Sequence, residues 1–244
     1  MDDDFPPRFE SIERANYSDA DFESVFGVDE AGKGPVLGSM FAAAVRVADS
    51  DDLPAGIDDS KNVAPARREE IAAELRADDR VAVGVAEIPV ARIDGDEDMN
   101  TLTVAAHAEA AAQVVDGDGA EGIADAGDTS EERFARRVAN RIPERVELTA
   151  EHGADEAYPV VGAASIVAKV ERDAHVAALA DTYAEEYGPA LGELGSGYPG
   201  DSTTREFLAA FVAEEGELPD CARRSWSTCE DVLAAAEQSG LGEF

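Results

Sequence analysis

Ser24-Val25-Phe26-Gly27-Val28 is followed at once by Asp29-Glu30-Ala31-Gly32-Lys33-Gly34-Pro35, and the character of the chain changes between them. The first run reads as a short buried strand. In the second, glycines and a proline forbid ordinary strand continuation. Residues 39–48 suit a second strand, so a hairpin-like return about the glycine loop is expected. Asp29 and Glu30 are then adjacent carboxylates at a strand end. Successive strand residues point to opposite faces, so both serve one site only where the pleat breaks down, and the loop supplies such a break. A lone Asp-Glu pair in an acidic protein is ordinarily surface; its place after a buried strand sets this one apart.

Downstream, Asp59-Ser60-Lys61 lies in a loop, and Pro65 suits the first position of a helix through about Arg76. Residues 80–88 alternate as a strand, and Asn100 is placed to cap a helix running through Val115. Glu121 to Asp125 is a further strand, Thr129 to Glu132 a capping box for a helix to about Arg141, and Arg145 to Leu148 a fifth strand. Either Asp125 or Asp128 could be a ligand. Asp125 is the better choice, because it keeps strand register with Ile123 while Asp128 reads as a turn or cap residue. Residues 163–184 form a long helix with apolar Ile166, Val170 and Ala174 on one face and a polar stripe of Ser165, Lys169 and Asp173 opposite. Taken blandly, that stripe is an exposed Lys-Asp ion pair. Past about Tyr187 only helices and turns are expected, with capping boxes at Thr203 to Glu206 and Ser227 to Glu230. The pattern predicts an α/β fold, a mixed sheet flanked by helices. The expected division is an acidic extension over residues 1–22, a catalytic domain over 23–186 and a helical substrate-binding region over 187–244.

The chain carries a net charge of -34, which argues against nucleic acid because phosphate binding relies on Lys and Arg. Yet the acid is spread through nearly every segment, and 44% of residues are hydrophobic, so the chain can fold and the charge reads as a solvated surface. This pattern resembles that of cytosolic proteins of extreme halophiles, where salt screens self-repulsion. Lysine is confined to Lys33 in the glycine loop, Lys61 in the Asp-Ser-Lys loop and Lys169 in the polar stripe of the long helix. Chance survival would explain any one of them alone. With only Cys221 and Cys229 and no Cys/His cluster at zinc-ligand spacing, neither a disulfide framework nor a structural zinc is indicated. His107, His152 and His175 read as ordinary surface or core residues. Arg133, Arg136, Arg137, Arg141 and Arg145 form a local basic run, read first as partners of the acidic surface. The start of the chain does not resemble a signal peptide and no apolar run could span a bilayer, so a cytoplasmic protein is expected.

Gly27 to Pro35 resembles the Gly-Ile-Asp-Glu-Ala-Gly-Arg-Gly-Pro signature of ribonuclease HII. Asp59-Ser60-Lys61 with Arg67-Arg68-Glu69, Asn100, Ala163 to Asp173, Gly195 to Pro199 and Arg223 to Trp226 fall in that family's order, with its archaeal branch the most similar. The resemblance implies a ribonuclease H-like fold and an endoribonuclease acting on RNA–DNA hybrids and on ribonucleotides embedded in duplex DNA, leaving 5′-phosphate and 3′-hydroxyl ends. It makes Asp29, Glu30, Asp125 and Asp173 the catalytic and metal-ligating carboxylates, for Mn²⁺ or Mg²⁺. Gly32, Lys33, Gly34, Lys61, Ser165, Lys169 and Tyr198 would bind substrate, the loop and Tyr198 recognising the 2′-hydroxyl. Lys33 departs from the commoner Arg and loses bidentate phosphate contact. A monomer without a membrane partner is expected. The rivals are another nuclease of the superfamily, such as a resolvase, which the Gly-Lys-Gly loop and Tyr198 disfavour, and a non-catalytic acidic cation-binding protein, which leaves the ordered motifs unexplained.

Overall fold

The computed structural model of the chain describes residues 25–57 and 63–241; the expected extension over 1–22 and the loop holding Lys61 lie outside them. Strands β1 (Val25–Ala31), β2 (Met40–Val47), β3 (Ala82–Ile88), β4 (Ala120–Asp125) and β5 (Val146–Glu151) form one sheet in the order β3-β2-β1-β4-β5. β1 runs antiparallel to β2 and β2 to β3, whereas β1, β4 and β5 are parallel. The helices are α1 (Pro65–Ala77), α2 (Val90–Ile93), α3 (Met99–Ala111), α4 (Glu131–Ala139), α5 (Ala154–Ala157), α6 (Pro159–Tyr187), α7 (Ser202–Glu215) and α8 (Ser227–Leu241). The expected mixed sheet flanked by helices is the fold observed. No helix among the described residues is long and apolar enough to cross a membrane.

Alternation along β1 builds the layers. Phe26 and Val28 pack with Leu102 and Val104 of α3 and with Phe134 and Val138 of α4. Val25 joins the opposite layer, where Ile71 and Leu75 of α1 meet Val161 and Ile166 of α6. Burying each such side chain contributes about 1.5–3 kcal/mol. Gly27 lets α6 approach the strand: a Cβ there would lie 2.5 Å from the Val160 carbonyl carbon, so any side chain would push the helix off the sheet. A third apolar cluster joins Val36 and Leu37 of the glycine loop to Tyr183 of α6, Phe207 and Phe211 of α7 and the buried thiols Cys221 and Cys229.

Several boundaries depart from the sequence reading. β1 continues through Asp29 and Glu30, which pair in register with Ala43 and Ala42, so the strand does not break at the carboxylates. The caps lie nearby rather than at the positions read. Asp98, not Asn100, caps α3 by accepting from Thr101 N (3.0 Å), Ser130 caps α4, and Asp201 caps α7.

Candidate active site

Pairing between β1 and β4 ends at Val28↔Ala124, which leaves Asp29 and Asp125 side by side at the carboxyl ends of two parallel strands. In open α/β sheets that end of the strands is where ligands bind. Asp29 faces α6, and the buried Ser165 hydroxyl donates to it. The Lys169 ammonium donates in turn to Ser165 Oγ at 2.6 Å. Glu30 faces the other layer, where Nε2 of the fully buried His107 lies 2.7 Å from its Oε2. The two carboxylates thus point to opposite layers, each with its own polar partner, and still act on each other electrostatically. Burial, with the charges of Glu30 and Asp125, holds the Asp29 carboxyl well above the usual range. Burial works the same way on Glu30, but the hydrogen bond with His107 and the charge of Lys33 outweigh it and keep that carboxyl low. Burial also raises Asp125, whose Oδ1 accepts from Ala154 N at 2.8 Å.

Asp155, one residue past that amide, is buried, and its charge adds to the upward push on Asp125. Asp173 is placed otherwise than the sequence reading expected. Eight residues separate it from Ser165, a displacement of about 12 Å along a helix axis. There its half-exposed carboxylate pairs with Arg172 (3.1 Å) and Arg68 (3.3 Å). The polar stripe therefore divides, Ser165 and Lys169 serving Asp29 and Asp173 serving two arginines. Asp128 takes two hydrogen bonds from Arg133, at 2.6 and 3.0 Å, which with Thr129 N pull its carboxyl down to about 2. Arg137 donates to Thr101 and Arg145 pairs with Asp118, in keeping with the reading of that basic run as partners of the surface.

Beside the carboxylates, Gly32 has φ +89°, which favours glycine, and a Cβ there would press on Ser39 O at 3.0 Å. Lys33 Nζ donates to Gly127 O across a cleft of about 320 Å³ that Glu30, Asn100, Thr129 and His152 also line. Tyr198 is 45% exposed, the large hydrophobic side chain most open to solvent among the described residues, and its ring lies 5.3 Å from the Arg172 guanidinium carbon. Val36 N and Leu37 N both donate to Gly197 O, which ties the turn carrying Tyr198 to the glycine loop.

The profile of the family described as Ribonuclease HII matches residues 26–229. The chain belongs to the ribonuclease HII family. A ribonuclease HII of Haloarcula marismortui is 62% identical over 220 residues, covering 90% of this chain and 99% of its own. Among solved structures, ribonuclease H2 from Pyrococcus horikoshii superposes with TM-score 0.74 at 30% identity, over 88% of this chain and 99% of that one. RNase HII from Archaeoglobus fulgidus, solved as a complex with PCNA, gives 0.71 at 34%, over 85% and 96%. An RNase HIII solved with Mn²⁺ shares the fold at 21% identity and TM-score 0.70, over 88% and 70%. This ribonuclease HII is accordingly an endoribonuclease acting on RNA–DNA hybrids.

Three residues of this ribonuclease HII escaped the sequence reading. His107 sits on α3 among buried apolar residues and shows no periodicity that would separate it from a core histidine. Asp155 lies in the single-turn α5, too short to produce a pattern. Arg223 was legible only as part of the Arg223 to Trp226 motif; its side chain is fully buried.

Proposed function

We propose that Asp29, Glu30, Asp125 and Asp155 form the catalytic and metal-ligating set of this ribonuclease HII, with Asp155 in the place first expected for Asp173. The observation that carries the reading is geometric: the buried Asp29 stands at the strand ends beside Glu30 and Asp125, where unrelieved repulsion calls for a cation. All these donors are hard oxygens, suited to Mg²⁺ or Mn²⁺. Among the described residues no three ligating side chains stand ready as a closed cage, which a divalent ion that keeps water and takes substrate oxygens does not require. When bound, a pair of such cations supplies the Lewis acidity for in-line hydrolysis, which leaves 5′-phosphate and 3′-hydroxyl ends.

The chain's own residues orient the reaction. Lys169 and Ser165 hold Asp29, and His107 holds Glu30. Gly32, Lys33 and Gly34 lie along the sugar edge and, with Tyr198, select the 2′-hydroxyl, so single ribonucleotides in duplex DNA are substrates as well as hybrids. Arg172, held by Asp173, supports the Tyr198 ring. Lys61, outside the described residues, is assigned to phosphate. Residues 187–244 provide one wall of the groove and residues 1–22 an appended extension. The protein works as a monomer in the cytoplasm, with a PCNA-type clamp as a candidate partner by analogy with the Archaeoglobus neighbour.

The test is incubation in high salt with Mn²⁺ of duplex DNA carrying one ribonucleotide, beside an all-DNA control. Cleavage confined to the ribonucleotide strand is expected. Equal cutting of both duplexes, or of neither, overturns the assignment.

A further inference from the structure

Arg223 carries a fully buried guanidinium, an expensive group to bury without partners. Its partners are backbone carbonyls: Nη2 donates to Gly32 O (2.6 Å), Nη1 to Lys33 O (3.0 Å) and Nε to Gly38 O (2.9 Å). The Trp226 ring lies 5.0 Å from its central carbon. No carboxylate among the described residues forms an ion pair with it.

In a trans peptide the C=O and the following N–H point in opposite directions. Drawing the Gly32 and Lys33 carbonyls onto one guanidinium therefore turns the Lys33 and Gly34 amides away from it together. No described residue accepts from either amide. Two successive N–H groups turned to one side form a concave donor pair suited to a hydroxyl or phosphate oxygen. We propose that Arg223 is a positioning residue for substrate discrimination: its three-carbonyl clasp aims the Lys33 and Gly34 amides at the sugar-phosphate edge of the ribonucleotide. This rests on the reading of the loop as the 2′-hydroxyl sensor.

The backbone around Arg223 is anchored without its side chain. Gly38 N donates to Cys221 O (2.8 Å), Arg223 N to Val36 O (2.8 Å), and Asp94 accepts from Arg224 N (2.7 Å) and Ser225 N (3.0 Å). Arg223→Lys should therefore fold while an ammonium fails to span three carbonyls. The experiment measures kcat and KM on duplex DNA with one ribonucleotide, Kd for the all-DNA duplex, and circular dichroism, all in molar KCl. Expected for Arg223→Lys is a loss in kcat of about 100-fold with the all-DNA Kd unchanged, the pattern of a misplaced rather than an unbound substrate. Arg223→Ala should regain part of the lost rate when guanidinium is added at millimolar concentration, and not with urea. Equal losses in turnover and all-DNA binding, or no response to guanidinium, overturn the proposal. If Arg223→Lys does not fold, Arg223→Gln decides, because its uncharged amide carries only two N–H donors for the three carbonyls. A several-fold fall confined to the ribonucleotide duplex supports the clasp, and unchanged preference refutes it. Wild type that does not distinguish the two duplexes refutes the underlying sensor reading instead.

Discussion

At the ends of β1 and β4, Asp29 is crowded by Glu30 and Asp125, and its carboxyl is held up by burial and by those two charges. Against the neighbouring glycine loop the buried charge is Arg223, from the segment before α8, which meets carbonyl oxygens and an indole ring in place of a second ion; burial, then the charge of Arg172, lowers it to about 10, so it stays cationic at neutral pH. The first region keeps repulsion that a divalent cation can discharge, whereas the second is already satisfied and has only backbone donors left to offer. The difference teaches that a net charge of -34 says little about either place. Cation capture and sugar reading are separate devices here, and each should fail in its own way.

The largest expected effect comes from Asp29→Asn or Asp125→Asn. Either should abolish cleavage while the metal-free protein melts at the same temperature or higher, because one member of a repelling set has gone. Near-normal turnover in either variant would break the comparison at its root. Next, Asp155→Asn should lose at least about 100-fold in kcat, and Asp173→Asn clearly less, since Asp155 acts on Asp125 whereas Asp173 acts on arginines. The reverse order would restore Asp173 to the metal set. Tyr198→Ala should cost about tenfold at single ribonucleotides with little change in duplex affinity. Equal losses on both measures would make the ring a packing element.

Smaller still is the effect of Asp128→Asn, which should leave most activity and lower thermal stability at neutral pH. The Asp128 carboxyl is depressed, chiefly by the hydrogen bonds from Arg133, so its contribution is complete above its ordinary 3.8 and disappears as pH falls towards about 2. The gap between wild-type and variant melting curves should close over that interval; a gap that persists would mean the turn is held by something other than this ion pair.

Sequence alone carried the sheet, the long helix and the placing of the Asp-Glu pair and of Asp125 at strand ends, because strand alternation and helical spacing record which side chains face the core. It misplaced the caps. In so acidic a chain a Ser/Thr-x-x-Glu pattern arises by chance, and the hydrogen bonds are made by Asp201 beside the box read for α7 and by Asp98 two residues before the Asn100 read for α3. It also grouped Asp173 with Ser165 and Lys169 and made no reading of Asp155, because spacing by four marks residues on one helix stripe but not how far along the axis they are spread. Only packing separates Ser165, against Asp29, from Asp173 two turns on. Glu30 and His107 meet from elements 77 residues apart, a contact no local pattern encodes.

The clasp from Arg223 to Gly32 spans 191 residues. A ribosome delivers the chain from its N-terminus, so every strand-end carboxylate is made long before the arginine that fastens the reading loop. The nascent enzyme therefore gains its acidic cluster first and its discrimination last, and a chain cut short before residue 223 carries the cluster without the sensor. Refolding should show the same order: the loop sets late, after the sheet, because so distant a closure must wait for the layers between to dock.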